Sequence, residues 1–155
     1  MIYFAYGSNM DPAQMRGRCA GSRARGTGFL ADYRLCFSHW SETRGHAAAS
    51  VEPCPGERVW GVLYDMTAGD WTRLHVFEGH LGAGHPENGY DLHAFEIGTG
   101  AAAVAAHAYV SRVDPLRPHS GLPSAHYRGL LISGAIAHGL PADYLERLRG
   151  LPTLD

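Results

Sequence analysis

The chain carries little charge. Asp, Glu, Lys and Arg make up 18% of its 155 residues, against roughly 25% in an ordinary soluble domain. Lysine is absent altogether, and the net charge is −2. Sparse charge leaves room for an interface between copies, so a monomer or a homodimer is expected. It also leaves no basic face. Arg16, Arg18, Arg23 and Arg25 form a short run, read as a solvated segment, and nucleic-acid binding is not expected. Cysteine is scarce too. Cys19, Cys36 and Cys54 are odd in number, widely spaced and free of any C-x-x-C pattern, so neither a zinc site nor a disulfide framework is indicated. A reducing cytoplasm fits that usage. No apolar run reaches the length of about 18 residues that a membrane span needs, and no charged-then-apolar leader precedes the fold. Internal repeats and low-complexity tracts are missing. So are the G-x-G-x-x-G and P-loop patterns of nucleotide sites.

What is present is apolar, 45% of the residues, enough for one domain over residues 1–155 with a substantial core. Strands are expected at 2–6, 28–38, 47–52, 58–66, 90–97 and 103–111. Val59 to Tyr64 is nearly all apolar, as a strand buried on both faces would be. The last two strands read as a hairpin around Gly98-Thr99-Gly100. Asp11-Pro12-Ala13-Gln14 opens a helix with an N-cap, a first-turn proline and a capping-box glutamine. Thr67 caps a second helix running to about Phe77. Ser124 starts a third, with Tyr127, Leu130, Leu131, Gly134, Ala135 and His138 on its inner side, and Gly139 ends it. Pro141 opens a fourth, with Tyr144, Leu145 and Leu148 inward and Gly150 as its stop. Asp114 to Pro123, rich in proline, reads as a loop. The resulting class is α+β: a small mixed, mostly antiparallel β-barrel or sheet with flanking helices.

Two features carry chemistry. The first is Tyr3-Phe4-Ala5-Tyr6-Gly7-Ser8-Asn9, a buried strand running into a small polar turn, followed by a helix start. Such a turn is ordinary loop chemistry, or it offers N–H groups to an anion, as helix starts do. Ser8 lacks a G-x-S-x-G context and an assignable base, which speaks against a nucleophile. The second feature is Glu78. It lies four residues after Leu74 and seven after Trp71, inside the stripe marked by Trp71, Leu74 and Phe77, and Gly79 breaks the helix behind it. The carboxylate either reaches water from a frayed end or faces a cavity. In a cavity, desolvation would lift its pKa and suit it to proton transfer near neutrality. His75, Glu78, His80 and His85 also cluster, but Gly79 stands where an H-x-x-E-H zinc motif needs its second histidine.

Tyr3 to Met10, Val59 to Tyr64, Phe77-Glu78-Gly79 and Gly139-Leu140-Pro141 occur in the order seen in gamma-glutamylcyclotransferase-like proteins. Pro123-Ser124-Ala125-His126-Tyr127 and Gly134-Ala135 extend the likeness along essentially the whole chain. The chain resembles that family. The resemblance implies a small mixed barrel and cleavage of a gamma-glutamyl amide to 5-oxoproline and an amine or amino acid. It implies Glu78 as acid/base and Tyr3 to Ser8, with Asn9, as the substrate cradle. Tyr127 would line the site, with Tyr90 and Tyr109 as further cavity wall. No cofactor and no metal are expected; the partner is a small-molecule gamma-glutamyl substrate, with no nucleic acid and no membrane. Two departures stand out: Leu74-His75 where many members carry Leu-Asp, and a long glycine-rich stretch at 79–89 beside the site. Rival readings are a non-catalytic small-molecule binder on the same scaffold, a metal-dependent hydrolase using His75, Glu78 and His80, and the same enzyme class acting on a gamma-glutamyl cap of another amine.

Overall fold

Antiparallel pairing dominates the molecule, and one parallel pair completes its ring of strands. The computed structural model describes residues 1–112 and 121–155. Five strands, β1 (Ile2–Ala5), β2 (Arg23–Ser41), β3 (His46–Asp65), β4 (Tyr90–Gly98) and β5 (Ala103–Ser111), form a closed barrel in the order β1-β3-β2-β4-β5. Only the β1–β5 pair, joined at Tyr3 and His107, is parallel. Four helices flank it: α1 (Pro12–Arg18), α2 (Ala68–Phe77), α3 (Ala125–His138) and α4 (Ala142–Arg149). This is the α+β barrel expected from the sequence. Of the expected 114–123 loop, residues 114–120 lie outside the described residues.

The expected strands at 47–52 and 58–66 are the two ends of one long strand, β3. Its partner β2 runs from Arg23 to Ser41 rather than 28–38. Pro53, Pro55 and Gly56 lie between those two ends, and proline cannot donate to a ladder. Here the pairing shifts register between Ala31 and Tyr33. At that bulge Asp32 adopts φ 62°, a left-handed conformation that short polar residues tolerate, and its Oδ1 accepts from the Gly56 N–H at 2.9 Å. The ribbon bends there and continues. The β4–β5 hairpin is in register from Tyr90 opposite Ser111 to Gly98 opposite Ala103.

Local signals set the helix ends. Asp11 caps α1 by accepting from Gln14 N, but the Gln14 side chain does not complete a capping box; it turns to Ser8 and Asn9. Thr67 and Asp70 form a reciprocal capping box on α2. Gly139 closes α3 at φ 68°, a conformation that a Cβ would disfavour. The β1 strand continues into a 3-10 turn, Ser8–Met10, buried throughout. Helix α3 packs directly onto that turn: a Cβ on Gly134 would lie 2.4 Å from the Met10 Cβ. The turn is therefore clamped between the barrel and α3, which holds its backbone still.

Candidate active site

The barrel mouth, the 3-10 turn, the end of α2 and the tip of the β2–β3 hairpin enclose a cavity of about 430 Å³. Glu78 is part of its wall, and the last turn of α2 explains its pose. Glu78 is the C-cap. Gly79 follows in the left-handed region at φ 62°, its N–H bonded to Val76 O and the His80 N–H to His75 O. This is the glycine-closed arrangement that ends many helices. It fixes the Glu78 backbone, while Trp71 and Leu74, buried on the same face, anchor the helix behind it.

The Glu78 side chain is 17% exposed. Its Oε1 accepts from Asn9 Nδ2 at 3.0 Å and lies 3.8 Å from Arg18 NH1. Burial pushes the carboxyl up from its usual value; Arg18, the Asn9 hydrogen bond and Arg44 pull it part of the way back. The position beyond a helix C-terminus, where the macrodipole is negative, acts in the same upward direction. Asn9 is the hub. Nδ2 also donates to the Tyr3 hydroxyl at 3.0 Å, and Oδ1 accepts from Gln14 Nε2 at 3.0 Å and Arg18 NH1 at 3.1 Å.

The turn leaves donors free. Met10 N–H bonds Gly7 O and Asp11 N–H bonds Ser8 O. The Asp11 carboxylate occupies the start of α1, so the helix end expected to receive an anion is already filled. The N–H groups of Gly7, Ser8 and Asn9 have no acceptor among the described residues, and all three residues line the cavity. Buried donors of this kind call for a partner.

Aromatic side chains complete the wall. Tyr3, Tyr6, Tyr90, Tyr109 and Tyr127 all reach the cavity. Tyr127 accepts from Ala49 N at 3.0 Å, Tyr90 donates to Ala49 O at 2.7 Å, and Tyr6 donates to Tyr109 O. Burial raises every one of these phenols, so they stay protonated. Phe4 and Ala5, named in the cradle from the sequence, are fully buried and do not line the cavity. The Phe4 ring packs where a Gly61 Cβ would be, and the Ala5 carbonyl lies against the same glycine. Phe77 is a second correction: it is 54% exposed rather than part of the inner stripe, because it falls on the flank of α2.

Sequence reasoning does not single out Arg18, His39, Trp40 or Arg44, yet all reach the cavity. Arg18 sits in the run read as solvated. The available signal was its spacing: Gln14 and Arg18 are four residues apart on one face of α1, and both serve Asn9. His39, Trp40 and Arg44 come from the hairpin tip, a region outside the strands expected at 28–38 and 47–52. The rings of His75 and His80 stay together, with centroids 4.7 Å apart, but their nitrogens are engaged elsewhere. His75 Nδ1 pairs with the Tyr109 hydroxyl, His80 Nδ1 with Tyr90 O, and His85 Nδ1 with Glu87 N. Among the described residues no three His, Cys, Asp or Glu side chains gather into a metal-binding set. Also among these residues, no helix is long and apolar enough to cross a membrane.

Residues 58–148 match the AIG2-like family. The chain is similar to the gamma-glutamylcyclotransferase of Homo sapiens, 26% identical over 159 residues, and to that of Bos taurus, 25% identical over 158. Each match covers 99% of this chain and 80% of the relative. A solved structure described as a gamma-glutamyl cyclotransferase superposes with a TM-score of 0.89 at 25% identity, covering 100% of this chain and 89% of that one.

Proposed function

This chain belongs to the AIG2-like family, and from that premise we propose that it cleaves gamma-glutamyl amides, releasing 5-oxoproline and an amine or amino acid. The observation that carries the reading is Glu78, a raised carboxyl in the cavity wall, tied through Asn9 to a turn with three N–H donors that have no acceptor among the described residues. Relatives named gamma-glutamylcyclotransferase support the same reaction class.

The reaction is intramolecular. The substrate's own α-amine attacks its γ-carbonyl and closes a five-membered ring, a geometry in which effective molarities reach about 10⁵–10⁸ M. No enzyme nucleophile is needed. The α-ammonium, with a pKa of about 8 in model peptides, must first lose a proton. Glu78 takes it, and the raised carboxyl narrows the gap between donor and acceptor. Carbon–nitrogen bond formation places negative charge on the γ-oxygen. Gly7, Ser8 and Asn9 offer N–H groups to that oxygen or to the substrate α-carboxylate. Glu78 then returns the proton to the departing nitrogen as the amide bond breaks, so protons balance over the cycle. The cavity volume of about 430 Å³ falls within the range of roughly 300–1,000 Å³ usual for small-molecule sites. Arg44, at the hairpin tip, lies over the Tyr127 ring at 5.3 Å and suits a carboxylate on the substrate.

The test is turnover of a panel of gamma-glutamyl dipeptides and amides, with 5-oxoproline quantified by chromatography. Wild type is expected to release it, and Glu78→Gln to lose about 10²–10⁴ in rate while still binding a gamma-glutamyl analogue. Ordinary turnover by the variant would remove Glu78 from the chemistry. Binding without any 5-oxoproline from wild type would make the protein a binder on this scaffold.

A further inference from the structure

Phe77 is a large aromatic ring standing more than half exposed at the rim of the cavity, with no place in the core. What covers it is a cation: the Arg18 guanidinium carbon lies 4.7 Å above the ring centroid. The Arg18 side chain is only 15% exposed, although it comes from the end of a short surface helix. Two further contacts fix it. NH1 donates to Asn9 Oδ1 at 3.1 Å and approaches Glu78 Oε1 to 3.8 Å. We infer that Arg18 is a positioning residue for Glu78, held over the Phe77 ring so that it orients the Asn9 amide and sets the charge state of the carboxylate. The inference rests on the reading of Glu78 as the proton carrier.

Hydrogen-bond chemistry gives the orientation. Arginine only donates, so the atom of Asn9 facing it must be the amide oxygen. Gln14 Nε2 meets the same oxygen. With Oδ1 claimed on that side, Nδ2 must face Tyr3 and Glu78. One carboxylate oxygen, Oε1, is thereby occupied, and Oε2 makes no hydrogen bond among the described residues. That oxygen is left for a substrate proton. The Phe77 face supplies what a solvated arginine lacks: a cation–π contact that restrains a long, flexible side chain over one spot.

Charge sets the poise. Among the described residues, the groups around Glu78 are the phenols of Tyr3, Tyr6, Tyr90, Tyr109 and Tyr127, the Cys19 thiol and the cations Arg18 and Arg44, with His39 and Glu42 of the β2–β3 hairpin lining the same cavity. The phenols and the thiol are pushed up by burial and stay neutral. His75 and His80, on the adjoining helix end, are engaged with Tyr109 and Tyr90. Among the described residues Arg18 is thus the cation that approaches the carboxylate within ion-pair distance, and without it only the Asn9 hydrogen bond and Arg44 oppose burial. The sign follows: a Glu78 deprived of Arg18 holds its proton to higher pH and is a base only in more alkaline solution.

The test compares Arg18→Gln, Arg18→Lys and Phe77→Ala with wild type by kcat/KM for 5-oxoproline release across pH. Alongside it, the Glu78 carboxyl is titrated by NMR on ¹³C-labelled protein. In Arg18→Gln the acidic limb and the NMR midpoint are expected to move up together by about one to three pH units, the span of a neighbouring opposite charge. Arg18→Lys should return part of that shift. Phe77→Ala, a surface substitution that also serves should Arg18→Gln fold poorly, should move both in the same direction by less. An unmoved limb and midpoint, with rate lost evenly at all pH, would reduce Arg18 to a structural role and overturn the inference. A midpoint that moves in a protein releasing no 5-oxoproline would uphold the link between Arg18 and Glu78 and fail the proposed reaction instead.

Discussion

At the scale of single residues, Glu78 works against the fold that holds it. Burial raises its carboxyl above the usual value, so the folded state binds a proton more tightly than the unfolded chain. By linkage, ionisation then costs stability: the loss sets in above the ordinary carboxylate range of about 4.3 and is complete once pH exceeds the folded value. Glu78→Gln should therefore melt at a higher temperature than wild type at neutral pH, with the gap closing as pH falls into that range. Thermal melts across pH check this; a variant no more stable at neutral pH would show the carboxylate to be comfortable where it is. The placement of Glu78 is legible in the sequence, because Trp71, Leu74 and Glu78 share a helical face and Gly79 stops the helix. The placement of Arg18 is not. Its spacing from Gln14 is visible, but the Asn9 oxygen on which both converge belongs to a turn whose shape depends on α3.

At the scale of elements, the long stretch at 79–89 beside the site is tied down. Asn88, buried, accepts from Leu81 N and donates to Gly82 O and Asp91. Arg112 grips Asp91 through two nitrogens at 2.7 and 2.9 Å and reaches Pro86 O at 3.0 Å. The Arg112 hydrogen bonds lower the Asp91 carboxyl to about 2 against partial burial, with Asn88 helping. A depressed carboxylate adds stability that is present above its ordinary value and is lost as pH falls through the folded one. Asp91→Asn should thus melt below wild type at neutral pH, and the difference should vanish as pH drops from about 4 to about 2. Equal melting at neutral pH would mean that the Arg112 grip adds nothing. The sequence marks this stretch only as long and glycine-rich. Its order comes from Arg112, which is brought alongside by the β4–β5 pairing. The union of two expected strands into β3 has a similar origin: Pro53 and Pro55 forbid a regular ladder locally, and the Asp32–Gly56 bulge accommodates them.

For the whole molecule, closure of the barrel depends on how near β2 can come to β4. A Cβ on Gly28 would lie 2.6 Å from the Ile97 side chain, and one on Gly98 would lie 2.5 Å from the Phe29 ring. That ring cannot swing aside freely. Trp60 packs beside it at 5.1 Å, and the Arg58 guanidinium covers it at 4.0 Å. Gly98→Ala should cost about 1–3 kcal/mol, the usual toll of overpacking, read as a lower denaturant midpoint at unchanged slope. An unaltered midpoint would show that the seam has slack.

The sequence by itself determined the parts that short-range physics controls. Glycine sterics end α2 at Gly79 and α3 at Gly139. Side-chain capping starts α2 at Thr67, and apolar patterning marks β1, the second half of β3 and the β4–β5 hairpin. The same range of physics put a polar turn after Tyr6 and a carboxylate on the inner face of α2. Only the tertiary structure decided that these two features meet, with Asn9 and Glu78 hydrogen-bonded across 69 positions of chain. It also turned Phe77 outward as a seat for Arg18 and brought the hairpin tip with Arg44 to the cavity rim. Those outcomes depend on a closed ring of strands, and a ring closes through pairings between distant segments that no local pattern encodes.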